Sequence, residues 1–204
     1  MFLLMQKQIN SAVALYSSGQ AHKALDIVKS LIVNHPKEAI LHNISGACYS
    51  ALGLSEDAID SYNEALLIKP DYAEVHNSLG VSLQAINKLD KAVKSYESAI
   101  VAFPNYAEAH NNLGNTYKEL NQLDDAIDYY KKSIAINPNF ALAHFNLGLI
   151  FYDQKNLVEA IDCYKSAIQI NPKYFEAHNN LGITLQFFGK MNLALESYKK
   201  AIKI

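Results

Sequence analysis

The sequence predicts an all-α fold in which antiparallel helix pairs stack into a solenoid. Two observations carry this prediction. The 204-residue sequence matches itself at a shift of 34 residues, and all five prolines keep that spacing: Pro36, Pro70, Pro104, Pro138 and Pro172. Within each period, apolar residues recur at the spacing of an amphipathic helix. Such a period is the signature of stacked repeats, because one helix pair cannot bury its apolar stripe alone.

The first half of each repeat predicts one helix, and the copy that begins at Ala107 shows it best. Its stripe holds residues that share one helical face: His110, Leu113, Gly114 and Tyr117. The pattern ends at Leu120, and Asn121 follows where two other repeats have Gly53 and Gly189. Glycine and asparagine tolerate the left-handed backbone that ends a helix. A turn is therefore predicted at this position.

The second half predicts another helix, from Leu123 to Ile136 in the same copy. Its stripe runs through Leu123, Ala126, Ile127, Tyr130 and Ile134. Acidic residues open this helix in several repeats, where they favour the positive end of the helix dipole: Glu56, Asp90 and Asp124. The proline that closes each repeat lacks a backbone N–H and disfavours helix just before it. Short turns on both sides make neighbouring helices antiparallel.

The start of the next first helix has the spacing of a capping box in two repeats. These pairs are Asp71 with Glu74 and Asn105 with Glu108. In such a box each side chain satisfies a backbone N–H at the helix start. We therefore expect these pairs to cap the first helices of their repeats.

The period divides residues 1–204 into six units of a single array: Met5–Glu38, Ala39–Tyr72, Ala73–Tyr106, Ala107–Phe140, Ala141–Tyr174 and Phe175–Ile204. The first unit diverges most, as terminal repeats often do. The sixth stops before its closing proline, and solenoids need a solvating cap at each end. The chain is therefore expected to be the N-terminal part of something longer.

Composition excludes several classes of protein. A net charge of −2 without blocks of one sign argues against a nucleic-acid backbone binder. Cys48 and Cys163 stand in different repeats, which favours reduced thiols over a disulfide framework or a zinc motif. The apolar stretch Met1–Met5 is too short for a signal peptide or a membrane span. We expect a cytoplasmic protein with no membrane partner.

No catalytic or cofactor-binding constellation is visible in the sequence. Histidines recur at the repeat period: His42, His76, His110, His144 and His178. Successive copies lie at least one interhelical spacing apart, about 8–10 Å. Zinc ligands must lie at about 2 Å from the metal, so we expect no metal site and a structural role for these histidines. The chain is predicted to be no enzyme and to need no cofactor.

Tyrosines recur on the stripe of the second helix: Tyr62, Tyr96, Tyr130, Tyr164 and Tyr198. A platform for stacking nucleic-acid bases would need exposed rings with basic neighbours. At this spacing the rings are instead expected to pack in the core, with each hydroxyl group reaching a polar edge. The Leu-Gly pairs of the first helices are expected to allow close helix packing.

Asparagines mark the first helices, although asparagine is a poor residue for the middle of a helix. One set follows the repeated histidine directly: Asn43, Asn77, Asn111 and Asn179. A second set stands one residue later, and one further asparagine lies a turn beyond: Asn112, Asn146, Asn180 and Asn115. A helical wheel places both sets off the core stripe, so we expect them to be exposed. Amides both donate and accept, which suits an extended peptide backbone.

The repeat resembles the tetratricopeptide repeat. The family pattern of Leu-Gly, an aromatic residue, Ala and Pro is present in the third unit as His76, Leu79, Gly80, Leu83, Ala92, Tyr96, Ala99 and Pro104, with histidine in place of the family's tryptophan. The resemblance implies a right-handed superhelix whose first helices line a concave groove. A similar asparagine row lines the groove of the repeat arm of O-linked N-acetylglucosamine transferases, and Asn112, Asn146 and Asn180 match it. Ile44 and Ser78 interrupt this row in earlier repeats, and Phe145 interrupts the neighbouring row.

These observations favour a scaffold that binds a protein or peptide partner along the groove, with the eight asparagines as its binding residues. The alternative is the substrate-recognition arm of a longer transferase. The groove positions carry no basic residue, which argues against a chaperone-tail adaptor of this family. Ile202 and Ile204 lie on the last helix with no following repeat to cover them, so weak self-association through that end is also expected.

Overall fold

Helices joined by short turns make up the structure, a computed structural model that describes residues 2–204, with side chains from Met5 onward. Met1, and with it the start of the apolar N-terminal stretch, lies outside the described residues. The described chain divides into two compact units. The first ends at Pro104 and holds α1 (Phe2–Ser17), α2 (Ala21–Asn34), α3 (Ala39–Ala51), α4 (Ser55–Ile68), α5 (Ala73–Ala85) and α6 (Leu89–Ala102).

The second unit, Asn105–Ile204, repeats the same plan: α7 (Ala107–Glu119), α8 (Leu123–Ile136), α9 (Ala141–Asp153), α10 (Leu157–Ile170), α11 (Phe175–Phe187) and α12 (Met191–Lys203). All regular structure in residues 2–204 is helical, which confirms the all-α repeat array. The helices predicted from Ala107 and from Leu123 are α7 and α8, and their bounds agree to within one residue. A single array over residues 1–204 stays a prediction.

Each unit is built by one packing rule. A first helix packs on the second helix of its own repeat, and that second helix packs on the next first helix, as α4 does on α5 and α10 on α11. Alanines on the second helices are fully buried, among them Ala58, Ala92, Ala126 and Ala160. Because these side chains are small, they allow the helix backbones to approach each other closely.

The contact between paired helices is a tyrosine ring on a glycine. Tyr96 and Tyr130 are fully buried, and their rings lie against Gly80 and Gly114. A Cβ atom on Gly80 would stand 2.6 Å from a ring carbon of Tyr96, closer than a carbon–carbon contact allows. The same contact recurs in three other repeats: Gly46 with Tyr62, Gly148 with Tyr164 and Gly182 with Tyr198. The core role predicted for the tyrosines and the close packing predicted for the glycines are confirmed.

The first helix is tied to the turn before it by its histidine. His76 donates its Nε2 hydrogen to the carbonyl oxygen of Pro70 at 2.8 Å. The same bond recurs from His42 to Pro36 (2.9 Å), from His144 to Pro138 (3.0 Å) and from His178 to Pro172 (3.0 Å). Since a carbonyl oxygen can only accept, the ring must carry its hydrogen on Nε2. The structural role of these histidines is therefore to bond each first helix to the turn that precedes it.

The turns within helix pairs use left-handed backbone, as predicted. Asn121 has φ +59°, and Gly53 and Gly189 have φ of +75° and +80°. Lys155 adopts φ +64° at the same place in the fifth repeat, although lysine has no special tolerance for it. The sequence pattern did not predict this position, because only glycine and asparagine signal such a turn.

The prediction of a capping box is wrong for both pairs, Asp71 with Glu74 and Asn105 with Glu108. Helices α5 and α7 begin one residue later than that spacing requires. Tyr72 and Tyr106 occupy the N-cap positions, and neither makes a side-chain capping bond. An aromatic residue at this place packs on the preceding first helix, as the Tyr174 ring does on Phe145 with centroids 4.9 Å apart. Packing between repeats therefore sets the start of the helix here.

The outer face of α12 has no neighbouring helix in the described chain. Ile202 is 83% exposed, and Ile204 and Leu195 are also exposed. Self-association through this face stays a prediction. Among residues 2–204, no helix combines the length and the apolar character that a bilayer crossing needs.

We expect Gly53→Ala to lower the free energy of unfolding by about 1 kcal/mol, because alanine is strained in the left-handed region. A Cβ at this position would meet no atom within 4 Å, so the effect comes from the backbone alone. Gly53→Asn is the matched control and should cost less, because asparagine tolerates this region. Urea denaturation of the full chain measures both. Equal losses for the two variants would contradict the assignment.

We expect Ser82→Ala to raise the free energy of unfolding by about 1 kcal/mol, because it removes a hydroxyl that is buried without a partner. The Ser82 Oγ atom makes no hydrogen bond in the described structure, and its side chain is buried. The contrasting variant is Ser133→Ala, which removes a buried bond of 2.8 Å to the carbonyl oxygen of Ala107. That variant should lose about 1 kcal/mol in the same denaturation assay. A loss of stability in Ser82→Ala would show that the hydroxyl is satisfied.

Candidate functional site

The predicted binding residues lie on the first helices, and the structure places them between repeats rather than on an open surface. In the first unit, Asn43 of α3 and Asn77 of α5 are half-buried. The Asn43 amide donates a long hydrogen bond of 3.5 Å to the hydroxyl of Tyr72, at the start of the next first helix. The residue after the histidine therefore faces the following repeat.

The predicted exposure is wrong for Asn111 and Asn146. Asn111 is 1% exposed and Asn146 is 7% exposed. The helical wheel considered only the contact of a first helix with its own second helix. In the structure the neighbouring first helix covers the other side, where Asn146 of α9 bonds to Asn111 of α7. The remaining predicted residues are half-buried: Asn112, Asn115, Asn179 and Asn180.

A hydrogen-bonded amide network joins α7 to α9. The Asn146 amide donates to the side-chain oxygen of Asn111 at 3.0 Å and to that of Asn115 at 3.1 Å. Both hydrogens of this amide are therefore used. Buried amides require such partners, because an unpaired polar group loses its bonds to water without replacement. The network explains the helix-propensity cost of asparagine at these positions by contacts within the protein.

The network continues into the core through Tyr130. Its hydroxyl donates to the Asn115 oxygen at 2.7 Å. Burial raises the pKa of Tyr130 well above its usual range, and the nearby Glu119 carboxylate raises it further. The tyrosine thus stays protonated and remains a donor. The ring fills the core while its hydroxyl group anchors the amides of the first-helix face.

The next junction, between α9 and α11, lacks these polar partners. Asn180 stands 34 residues after Asn146 and occupies the same place in the repeat. The residues equivalent to Asn111 and Asn115 are Phe145 and Leu149. Within residues 2–204 the Asn180 side chain has no hydrogen-bond partner. The amide that would close the network is therefore available at the surface.

A cavity of about 210 Å³ opens at this junction. Its lining residues come from three helices: Leu149, Tyr152 and Asp153 of α9, Tyr164 of α10, and Asn180, Ile183 and Thr184 of α11. The Tyr152 ring meets the edge of Phe187 at 6.0 Å between centroids. An apolar cavity with a few convergent polar groups is the usual form of a ligand site.

Tyr164 differs from three other tyrosines of its stripe because its hydroxyl group has no partner. Those three are bonded: Tyr96 to Gln84 (3.0 Å), Tyr130 to Asn115 (2.7 Å) and Tyr198 to Gln186 (3.0 Å). The places of Gln84 and Asn115 are held in α9 by Tyr152 and Leu149. In the described structure Tyr164 is 1% exposed, lines the cavity and makes no side-chain hydrogen bond.

The cavity also brings a negative charge close to this hydroxyl. Burial raises the pKa of Tyr164 well above its usual range, and the Asp153 carboxylate raises it further. Tyr164 is thus a neutral donor and acceptor, while Asp153 is an exposed acceptor at the rim. The Thr184 hydroxyl already donates a hydrogen bond of 2.7 Å to the backbone carbonyl oxygen of Asn180.

Of the predicted residues, only Asn180 lines this cavity, and the sequence prediction missed its other lining residues. The available signal was the interruption of the asparagine row at Phe145. A break in a repeated polar pattern marks a place where the protein leaves a polar group without its partner.

Comparisons with known proteins agree with the repeat architecture. Models described as tetratricopeptide repeat match residues 107–140, 129–162 and 175–204. A further model, described as TPR repeat, matches residues 48–87, 83–121 and 148–186, which is more than half of the chain. No curated protein sequence matched significantly.

Solved structures with the same fold include several repeat proteins. MamA is 27% identical, with a TM-score of 0.70 over 78% of this chain and 92% of that one. YrrB, described as a TPR protein with an unusual peptide-binding site, is 23% identical, with a TM-score of 0.66 over 86% of this chain and 91% of that one. PilF of Pseudomonas aeruginosa is 17% identical, with a TM-score of 0.86 over 95% and 88%. The last two show the fold alone.

We expect Asn146→Ala to lower the free energy of unfolding by about 1–3 kcal/mol, because it leaves the buried oxygen of Asn111 without its donor. Asn180→Ala is the matched control at the equivalent position and should change stability by no more than about 0.5 kcal/mol. Urea denaturation measures both. Equal losses would show that the amide network does not stabilise the α7–α9 junction.

Proposed function

Because this chain belongs to the tetratricopeptide repeat family, we propose that it is a non-catalytic scaffold that binds a segment of a partner polypeptide along its first helices. Proteins of this architecture act by presenting extended surfaces to partners. The observation that carries the proposal is the α9–α11 junction. There the side-chain groups of Tyr164 and Asn180 face a cavity without partners of their own.

In this proposal the eight asparagines have two roles. Asn111, Asn115 and Asn146 form the floor, because their amides bond mainly to one another and to Tyr130. The remaining five, which are all half-buried, contact the partner: Asn43, Asn77, Asn112, Asn179 and Asn180. An amide beside an apolar surface can bond to a peptide backbone while neighbouring apolar residues hold a side chain. The asparagine pattern thus supports a partner in extended conformation.

The substrate-recognition arm of a transferase would use the same surface. Its binding step is the same as that of a scaffold, namely capture of a polypeptide segment. The scaffold is the proposal here because every group at the cavity is suited to recognition. The peptide-binding site described for YrrB supports this kind of ligand.

Photo-crosslinking tests where the partner binds. Linear peptides selected from a displayed random library on the full chain serve as probes. Benzoylphenylalanine placed at Asn77 or Asn179 of the first helices should crosslink these peptides. The same group at Asn63 of α4 or Asn192 of α12 should not, because these exposed residues lie on second helices. Recovery of no peptide, or crosslinking at the second helices alone, would overturn the proposal.

A further inference from the structure

We propose that the α9–α11 cavity takes an arginine side chain of the partner segment. This inference rests on the proposed function and specifies the chemistry of its partner. The cavity is bounded by apolar walls, by two polar groups without partners and by one carboxylate. Each of these features matches a different part of one side chain.

The polar groups favour a donor-rich ligand. Asp153 accepts only, while the Asn180 oxygen and the Tyr164 hydroxyl are further acceptors. No lysine or arginine lines the cavity. Lys155 is not among the lining residues, although its Nζ lies 5.4 Å from the centre of the Tyr152 ring. A ligand with several N–H groups and a positive charge therefore complements the cavity.

The walls favour a ligand with an apolar stem. Leu149 and Ile183 flank the cavity from α9 and α11. Long basic side chains bury their methylene stems on such surfaces and keep the charged group at the rim. The carboxylate of Asp153 is exposed, and so it lies where that charged group would emerge.

The shape of the site favours arginine over lysine. A guanidinium group is planar, presents five donors in a fork and pairs with a carboxylate through two parallel bonds. It also packs on aromatic rings, and the cavity offers Tyr152. An ammonium group is compact and strongly hydrated, so it gains less from an aromatic wall and a spread of acceptors.

The α9–α11 junction differs from the α7–α9 junction in the hydrogen bonds of its amides. At the α7–α9 junction Asn115 already accepts from Asn146 and Tyr130, so its oxygen is committed. At the α9–α11 junction Leu149 stands in the place of Asn115, and no side chain of the described protein bonds to the Asn180 side chain or to the Tyr164 hydroxyl. The oxygens of Asn180 and Tyr164 can therefore accept hydrogen bonds from a guanidinium group whose charge pairs with Asp153.

The test begins with linear peptides selected on the full chain from an unbiased displayed library. Their sequences should be enriched in arginine. Replacing the key arginine by citrulline, which keeps the shape and removes the charge, should weaken binding at least about tenfold in a fluorescence titration. Replacement by lysine should also weaken it, since the planar fork is lost.

Variants of the protein test which of its residues contact the arginine of the peptide. Asp153→Asn should weaken the arginine peptide by a similar factor but leave the citrulline peptide unchanged, because the two changes remove the same interaction. Tyr164→Phe should weaken binding of the arginine peptide by a smaller factor. The variant should not lower the free energy of unfolding, since the Tyr164 hydroxyl makes no hydrogen bond in the described protein. Asp162→Asn, an exposed change on α10 outside the cavity, is the matched control and should have no effect.

The outcomes separate this inference from the proposed function. Selected peptides that crosslink to the first helices but lack arginine, or that bind Asp153→Asn as tightly as the natural chain, overturn the arginine site and leave the scaffold intact. Equal binding of lysine and arginine peptides overturns the choice of arginine. Selection of no binding peptide at all overturns the scaffold proposal itself.

Discussion

The packing of a tyrosine ring on a glycine is the contact on which both the core and the candidate site depend. The ring takes the space of a missing Cβ, which fixes how closely a second helix approaches its first helix. Because the tyrosine side chain is long, its hydroxyl group passes the core and reaches the first-helix face. Each tyrosine thereby places a hydroxyl group at that face, and a buried hydroxyl group needs a hydrogen-bond partner there. The polar pattern of the face thus follows from the packing of the core.

This dependence explains why one junction differs from the others without any change of fold. Tyr164 sits on Gly148 as its counterparts do, so the helix pair keeps its geometry. The difference lies in the residues near its hydroxyl group, because α9 has Leu149 where α7 has Asn115 and Tyr152 where α5 has Gln84. The result is a cavity with polar groups that the protein itself does not satisfy. A candidate recognition site therefore arises from the loss of internal hydrogen bonds.

The helices, their pairing and the packing of the tyrosines in the core could be predicted from the sequence, because these features repeat and depend on contacts within one repeat. The left-handed turn at Asn121 was predictable for the same reason, whereas the turn at Lys155 was not, since lysine carries no signal for it. The capping boxes failed because an aromatic residue that packs on the preceding repeat, such as Tyr72, occupies the N-cap.

The candidate site was only partly predictable, because it depends on contacts between repeats. A helical wheel shows one helix against one neighbour, and each first helix here has neighbours on two sides. Asn111 therefore looked exposed and is buried under Asn146. The comparison of equivalent positions in successive repeats was the better guide. It separates asparagines that bond to one another from Asn180, whose partners have been replaced.

The bond from each histidine to the proline carbonyl has a consequence for folding kinetics. His76 and Pro70 are six residues apart, so their bond closes a short loop at small entropic cost. The glycine–tyrosine contact spans only 16 residues, from Gly80 to Tyr96. Contacts this local give a low contact order, and chains of low contact order fold quickly. Folding can thus begin in any repeat and spread to its neighbours, with no need for the distant ends of the chain to meet first.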